Sequence, residues 1–298
     1  MAGVLVIGAT GYIGSAVAQV ARRDGFAVYG QTRNPEKAVR LAAHELIPLV
    51  CDPTDASALL PVVQKCEFVI DCTADYETPA VIPNACLEAM RQATGSSSIR
   101  KHFLYTSGAL VHGNRPGQVV TEDDLDQQSE ALAWRINMEK DLLRVNNDTV
   151  DCTVLRPGFV YGKQGGFFTK LLFSPPGGET LQIAGDPLKR WSWVHVDDCA
   201  DGYVRVLHRR SQAAGRAYDL SEPFGPTYEE LKVAAAKLMG WKGTKVERVA
   251  PEGFEAFIDS TTVVNSKRAR DELGWSPRHT GIMAQLELYY EAYKAGSD

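Results

Sequence analysis

Residues 4–14 read VLVIGATGYIG. Val4, Leu5, Val6 and Ile7 make a short, β-branched apolar run of the kind a parallel sheet buries on both faces. Glycine then recurs at every third position, Gly8, Gly11 and Gly14, and a helical pattern opens at Ser15 and runs through Val17, Ala18 and Val20. A strand, a tight glycine turn and a helix compose a phosphate site. Gly8 permits the sharp turn, Gly11 lets the backbone approach a pyrophosphate, and Gly14 lets the helix pack close to the strand. The phosphates sit on the free N–H groups and positive dipole end of that helix. The chain holds 26 glycines, so the triplet gains its weight from its position directly after the first apolar strand. Its spacing is G-x-x-G-x-x-G rather than the commoner G-x-G-x-x-G.

Working outward, the 298 residues suit one large domain or two intimate ones. With 44 % hydrophobic and 23 % charged residues there is ample material for a core. A net charge of −5 argues against nucleic acid or an anionic membrane as the main partner, so phosphate recognition is expected to be local and the partner a small-molecule substrate. The six cysteines (51, 66, 72, 86, 152 and 199) show no C-x-x-C pair and no metal-ligand spacing. They read as free thiols without a metal, in a reducing, cytoplasmic compartment. No basic leader precedes the first strand, and no apolar run reaches membrane-spanning length.

Strand and helix signals alternate along the chain, which predicts a parallel sheet with helices on both faces. The second strand, Phe26–Tyr29, ends at Gly30-Gln31-Thr32-Arg33. An NAD site usually carries an acid there for the ribose 2′-hydroxyl; here Arg33 stands at the tip, with Lys37 four residues on. A guanidinium suits a 2′-phosphate, so the sequence points to NADP(H) over NAD(H). Strand three, Leu46–Val50, leads to Asp52 at the opening of a helix, where it suits an N-cap. Strand four ends at Asp71-Cys72-Thr73-Ala74, and a helix is expected over 79–93. Strand five runs into Thr106-Ser107-Gly108, followed by His112-Gly113. A loop with four carboxylates (114–129) reads as solvated, a helix follows over 130–145, and strand six leads into Arg156-Pro157-Gly158. Asp197 and Ser266 are expected to cap helices, and Thr227 to Glu230 form a capping box.

Four segments, GATGYIG, RPGFVYG (156–162), WSWVHVDDCADGYVRVL (191–207) and SKRARDELGWSP (266–277), resemble the extended branch of the short-chain dehydrogenase/reductase superfamily, of the NAD-dependent epimerase/dehydratase type. The resemblance spans nearly the whole chain. It implies an α/β fold, a doubly wound parallel sheet (Rossmann) with a small discontinuous C-terminal substrate lobe. The nucleotide domain would comprise 1–162 with 191–215 and about 257–268 returning to it, and the lobe 163–190, 216–256 and 269–298. It implies a cofactor set of Gly8, Thr10, Gly11, Tyr12, Ile13 and Gly14 at the pyrophosphate, Asp52 at the adenine, Cys72, Thr73 and Ala74 along the ribose and pyrophosphate, Thr106 beside them, and Pro157 against the nicotinamide.

The family's usual catalytic set is Ser, Tyr and Lys, with Tyr and Lys one helical turn apart. This sequence departs from it. Matching His112-Gly113 to the family's Tyr-Gly puts Gly108 at the Ser position, with Ser107 as its neighbour. Aligning Glu139 with the family's helix Glu puts Arg135 at the Lys position and Ala131 at the Tyr position; a one-residue slip instead puts Trp134 near the Tyr position and Met138 at the Lys position, and in either register no Tyr lies between Ala131 and Val145. Arg135 suits a ribose hydroxyl, and the proton donor has to come from elsewhere: Ser107, His112, Tyr161, Tyr76 or His195. Three readings follow. The first is an NADP(H)-dependent oxidoreductase acting at a carbonyl or hydroxyl carbon, with Ser107, His112, Arg135 and Tyr161 as its candidate catalytic residues. The second is a non-redox isomerase, lyase or cyclase on the same fold. The third is a catalytically silent nucleotide-sensing regulator. A family-type homodimer would pair helices 79–93 and 130–145, where Leu132, Ile136 and Leu143 form a partly apolar face.

Overall fold

The computed structural model describes residues 2–94, 100–125, 130–145, 149–222, 224–279 and 281–296, with backbone alone at 130, 131 and 167. Its first half alternates strand and helix as the apolar runs dictate: β1 (Gly3–Ile7), α1 (Tyr12–Arg23), β2 (Ala27–Thr32), α2 (Pro35–Ala43), β3 (Ile47–Val50), α3 (Ala56–Val63), β4 (Phe68–Asp71), α4 (Val81–Thr94) and β5 (Lys101–Thr106). After the short β6 (Val119–Val120) come α5 (Glu130–Arg144) and β7 (Val150–Pro157). Then follow β8 (Phe159–Tyr161), α6 (Phe167–Leu172), β9 (Thr180–Ala184), β10 (Trp193–His195), α7 (Val196–His208), α8 (Arg210–Ala213) and β11 (Arg216–Leu220). The chain closes with α9 (Tyr228–Leu238), β12 (Lys245–Val249), α10 (Gly253–Phe257), β13 (Val263–Val264), α11 (Lys267–Leu273) and α12 (Leu286–Ala295).

Seven strands form one parallel sheet in the order β11-β7-β5-β4-β1-β2-β3. The chain starts in the middle, winds outward to β3, then returns to the other side of β1 as β4. The strand order therefore reverses between β1 and β4, the place where open α/β sheets leave a crevice at their carboxyl ends. Leu5 and Ile7 face a core made with α3 and α4, while Val4 and Val6 face one made with α1 and α7; all four side chains are fully buried. This two-sided burial is why the run carries no polar alternation.

A smaller lobe packs an aromatic core of Phe159, Tyr161, Trp191, Trp193 and Tyr228 against α9 and α12. Phe159 and Trp191 stack at 4.4 Å, so most of these aromatics are core. Two parallel strand pairs, β8 with β10 and β9 with β12, tie the lobe together.

Several local expectations change. β11 pairs with β7 and belongs to the central sheet, so the lobe resumes after Leu220 rather than at 216. Ala269, Leu273 and Trp275 also join the α1/α7 core rather than the lobe. The N-cap of α7 is His195, whose Nδ1 accepts from the Asp197 N–H; Asp197 lies inside the first turn and pairs with Lys163 at 2.5 Å. The N-cap of α3 is Asp55, while Asp52 folds onto Thr54 in a tight Asx turn. Ser266 precedes α11, but its hydroxyl accepts from the Ser221 N–H instead of capping. In the acidic loop, Glu122 is buried against Asp219; Asp126 lies outside the described residues. The capping box of Thr227 and Glu230 forms as read. Leu132 and Ile136 pack within the chain against Val111, and the partly buried Leu143 packs against the α3/α4 core.

Candidate active site

The crevice begins at the glycine turn. Gly8 adopts a left-handed backbone (φ +74°) that other residues reach only with strain. At Gly14 a Cβ would overlap the Gly8 carbonyl oxygen and lie 2.9 Å from its carbon, so the close seat of α1 on β1 excludes any side chain there. Gly11 is the N-cap of α1 and no side chain caps it. The first-turn amides of this 12-residue helix therefore point into the crevice without an intrahelical partner. A nucleotide pyrophosphate fits that cradle, which a Cβ would fill.

Gln31 is a member of the site that sequence reasoning passed over. It is 2 % exposed; its Oε1 accepts from the Gly8 N–H at 3.2 Å and its Nε2 donates to the Cys51 carbonyl at 2.8 Å. It pins the glycine turn to the end of β3. Its signal was a lone amide at an inward register of an otherwise apolar strand. Tyr12 performs a similar service on the other side, donating to the Gly162 carbonyl at 2.7 Å while its ring fills the space beside Gly166.

The far mouth of the crevice carries Arg33, Lys37 and Asp52, all exposed. Asn34 caps α2 through Glu36 N–H, with Pro35 at its first position, so Arg33 is held at the strand tip by a well-formed helix start. Arg33 has no ion-pair partner among the described residues. Its charge nevertheless reaches Asp52 and Asp75, whose carboxyls lie below the ordinary range mainly through hydrogen bonds from Thr54 and Thr78.

The inner end is a cavity of about 160 Å³. It brings together Ile13, Cys72, Thr73, Ala74, Thr106, Ser107, Arg135 and Pro157 of the residues singled out from sequence. Asp71 supports its floor: one carboxylate oxygen accepts from the Thr73 N–H (2.9 Å) and hydroxyl (2.6 Å), and burial pushes the group up to about 6. Thr106 donates to the Asp71 carbonyl at 2.5 Å and meets the Tyr203 hydroxyl at 2.8 Å, so its own hydroxyl is committed.

Two polar groups of the cavity are not committed. The Ser107 hydroxyl is buried with no hydrogen-bond partner among the described residues, and the same holds for Nε of Arg135. The Arg135 guanidinium lies 5.3 Å from the Tyr76 ring and 4.9 Å from the Trp134 ring, a cation held by aromatic faces rather than by a carboxylate. A Cβ at Gly108 would come within 3.3 Å of its Nη1, so the bare glycine leaves the space that the guanidinium uses.

What aims Arg135 is a buried ion pair one helical turn further along α5. Arg156 is 1 % exposed and gives Nε (3.0 Å) and Nη2 (2.6 Å) to one oxygen of Glu139, and Nη1 to the Glu122 carbonyl (2.8 Å). The pair locks α5 to β7. Glu139 served the sequence reading only as an alignment mark, and the segment Arg156-Pro157 only as a family signature.

His112 and Tyr161 lie outside the cavity. His112 is fully buried, its Nδ1 donating to the Asp124 carbonyl (2.9 Å) and its Nε2 facing Asp219 (3.0 Å). Burial works against its charge, and the Asp219 carboxylate outweighs burial and raises its pKa. Tyr161 donates a short hydrogen bond to Glu222, and burial raises its phenol far above the ordinary value. His195 stacks on His279 at 3.9 Å, and burial lowers it to about 4. His195, Asp197 and His279 come close enough to suggest metal ligation. However, Nδ1 of His195 is spent on the Asp197 N–H, and the Lys163 ammonium already sits on Asp197. Tyr76 is largely exposed at the cavity rim. The side chain at the family's Tyr position, 131, lies outside the described ones.

Comparison with known proteins accords with this geometry. The model of the NAD dependent epimerase/dehydratase family matches residues 4–221. A UDP-glucose 4-epimerase of Mycolicibacterium smegmatis is 24 % identical, over 96 % of this chain and 97 % of that protein. An uncharacterized protein of Saccharomyces cerevisiae is 26 % identical, over 96 % of this chain and 98 % of that protein. Among solved structures, UDP-glucose 4-epimerase with UDP-glucose from Thermotoga maritima superposes with a TM-score of 0.80 at 17 % identity, covering 99 % of this chain and 100 % of that one. The Thermus thermophilus UDP-glucose 4-epimerase in complex with NAD gives 0.76 at 19 % identity, covering 98 % and 99 %. At these identities the structures speak to the fold. No helix among the described residues is long and apolar enough to cross a membrane.

Proposed function

Because this chain belongs to the NAD-dependent epimerase/dehydratase family, we propose that it binds NADP(H) across the β1/β4 crevice and acts as a small-molecule oxidoreductase at a carbonyl or hydroxyl carbon. The observation that carries this reading is what gathers at the carboxyl ends of the central strands. Arg33 follows β2, the uncapped start of α1 follows β1, and beside Ile13 lies a cavity where Ser107 and Arg135 have unspent hydrogen-bonding groups. The first-turn amides of α1 hold the pyrophosphate, Arg33 with Lys37 meets the 2′-phosphate, and Pro157 backs the nicotinamide. When bound, the reduced nicotinamide supplies a hydride to a carbonyl carbon, and the oxidised form takes one from the alcohol.

The remaining work falls to this chain's residues. The Ser107 hydroxyl donates to the substrate oxygen and passes it a proton drawn from water. Arg135 stays charged throughout, because a guanidinium does not deprotonate in a protein; it stabilises the negative charge that develops on that oxygen and reaches a ribose hydroxyl. Burial of the cavity floor by Asp71, Thr106 and Tyr203 strengthens both interactions by excluding water.

A fluorescence titration with NADPH, NADH, NADP+ and NAD+ tests the proposal. Preference for NADPH with a blue-shifted nicotinamide emission supports it, and failure of all four to bind overturns it. A second reading rests on the absence of any Tyr between Ala131 and Val145, where the family carries its Tyr and Lys. It is a non-redox isomerase, lyase or cyclase, or a nucleotide-sensing regulator. Tight NADPH binding with no turnover of any carbonyl compound would favour it.

A further inference from the structure

The cavity's walls speak to what it accepts. Beyond Pro157 its lining is apolar and aromatic: Leu110, Phe159, Val160 and Phe168, with Tyr76 at the rim. Arg135 is the one cation among the described lining residues. Four cations of the adjacent lobe are committed elsewhere. Lys163 pairs with Asp197, Lys189 donates to Asp259 and the Ala184 carbonyl, Lys232 donates to the carbonyls of Leu171 and Leu172, and Arg190 donates to the Gly225 carbonyl. A diphosphate entering this site would meet no second positive group, and burying its charges unpaired is costly.

We propose that this site takes a compact, uncharged aryl- or branched-alkyl aldehyde or ketone, or the matching alcohol, and not a nucleotide sugar. The proposal rests on the reading of the cavity as the nicotinamide end of the crevice. The substrate's single oxygen meets Ser107 and Arg135, and its apolar body lies against Phe159 and Phe168. In the reducing direction the hydride adds to the carbonyl carbon, the C=O π pair moves to oxygen, and oxygen takes a proton from water; NADPH is oxidised to NADP+ and the carbonyl is reduced to the alcohol. The chemistry separates this chain from the relatives and neighbours named for UDP-glucose.

Acetophenone and UDP-glucose are titrated calorimetrically into the full-length protein, with and without saturating NADPH. Phe168→Ala and Leu110→Ala are run beside the wild type. Acetophenone is expected to bind and UDP-glucose to give no heat. Each variant is expected to weaken acetophenone by about tenfold, the effect of losing one good apolar contact face, with NADPH affinity within about twofold. Tighter binding of UDP-glucose than of acetophenone overturns the proposal, as does acetophenone binding that neither variant changes. If no nucleotide binds, the cofactor reading falls by itself, and the titration without NADPH still decides what the cavity accepts.

Discussion

Glu139→Ala examines the link between core electrostatics and the site. In the wild type one Glu139 oxygen receives two donors of a guanidinium that is 1 % exposed. Removing the carboxylate leaves Arg156 charged, buried and holding one remaining bond, to the Glu122 carbonyl. Deleting one partner of a buried pair costs about 3–5 kcal/mol. Asp219 and Glu122 still act on the Arg156 charge, which places the expected loss near the lower end, about 3 kcal/mol. Urea unfolding followed by tryptophan fluorescence should show a midpoint lowered by roughly 1–3 M, at slopes of about 1–3 kcal/mol/M. The double replacement Glu139→Leu with Arg156→Met should lose less than Glu139→Ala alone, since no unpaired charge is left behind. Because Arg135 sits one turn before Glu139, NADPH affinity should fall with stability in Glu139→Ala. A loss under about 1 kcal/mol, or a double variant worse than the single, would refute the claim that this pair holds α5 in register.

Arg33→Ala should weaken NADPH about tenfold, a modest charge-assisted contact at an exposed position, and leave NADH unchanged in the same fluorescence titration; equal loss for both would sink the 2′-phosphate assignment. Gly14→Ala forces a methyl against the Gly8 carbonyl, so differential scanning should find about 1–3 kcal/mol of lost stability together with lost nucleotide binding. Ser107→Ala should reduce kcat for carbonyl reduction by about 10²-fold while the NADPH dissociation constant holds; an unchanged kcat would remove Ser107 from the chemistry. His112 has a folded pKa above its unfolded value of about 6.5, so its stabilisation is complete below that value and is lost as pH rises through the folded pKa. The thermal stability gap between wild type and His112→Gln should therefore be largest near pH 6 and shrink toward pH 9; a gap that grows with pH would contradict an imidazolium at this position.

The sheet was legible because its central strands are buried on both faces and so cannot hide as anything else. Val4–Ile7 and Phe68–Ile70 are uninterrupted apolar runs, and the glycine triplet fixes which end of β1 carries the ligand. Caps were less legible, for a local reason. Asp52, Asp55, Asp197 and Ser266 all satisfy the composition of an N-cap, and which one caps depends on competing bonds. Asp52 closes on Thr54, Asp197 is drawn to Lys163, and Ser266 is taken by the backbone of Ser221. The β11 boundary was missed because RAYDL is a short strand whose parallel partner, β7, lies some sixty residues earlier. Only the three-dimensional pairing distinguishes such a strand from a lobe segment.

The site was legible as a list and opaque as a device. Aligned on Glu139, the sequence reads with Ala131 and Arg135 where the family carries Tyr and Lys, which looks like damage. In three dimensions Arg135 is fitted to its neighbours. The guanidinium is longer than an ammonium stem and planar, and it needs flat partners and open space. Tyr76 and Trp134 provide the flat faces, and Gly108, where the family carries its serine side chain, leaves the space beside Nη1. A serine side chain at 108 would crowd that nitrogen, so Arg135 and Gly108 suit each other, and the free hydroxyl moves one residue back to Ser107. Gly108→Ser therefore sets two accounts of the site against each other. If the site is a decayed version of the family pattern, restoring the side chain should be harmless or helpful to NADPH binding. If the guanidinium occupies that space for a purpose, Gly108→Ser should displace it and weaken NADPH about tenfold, whereas Gly108→Ser with Arg135→Lys, which trims the crowded group, should recover most of the loss.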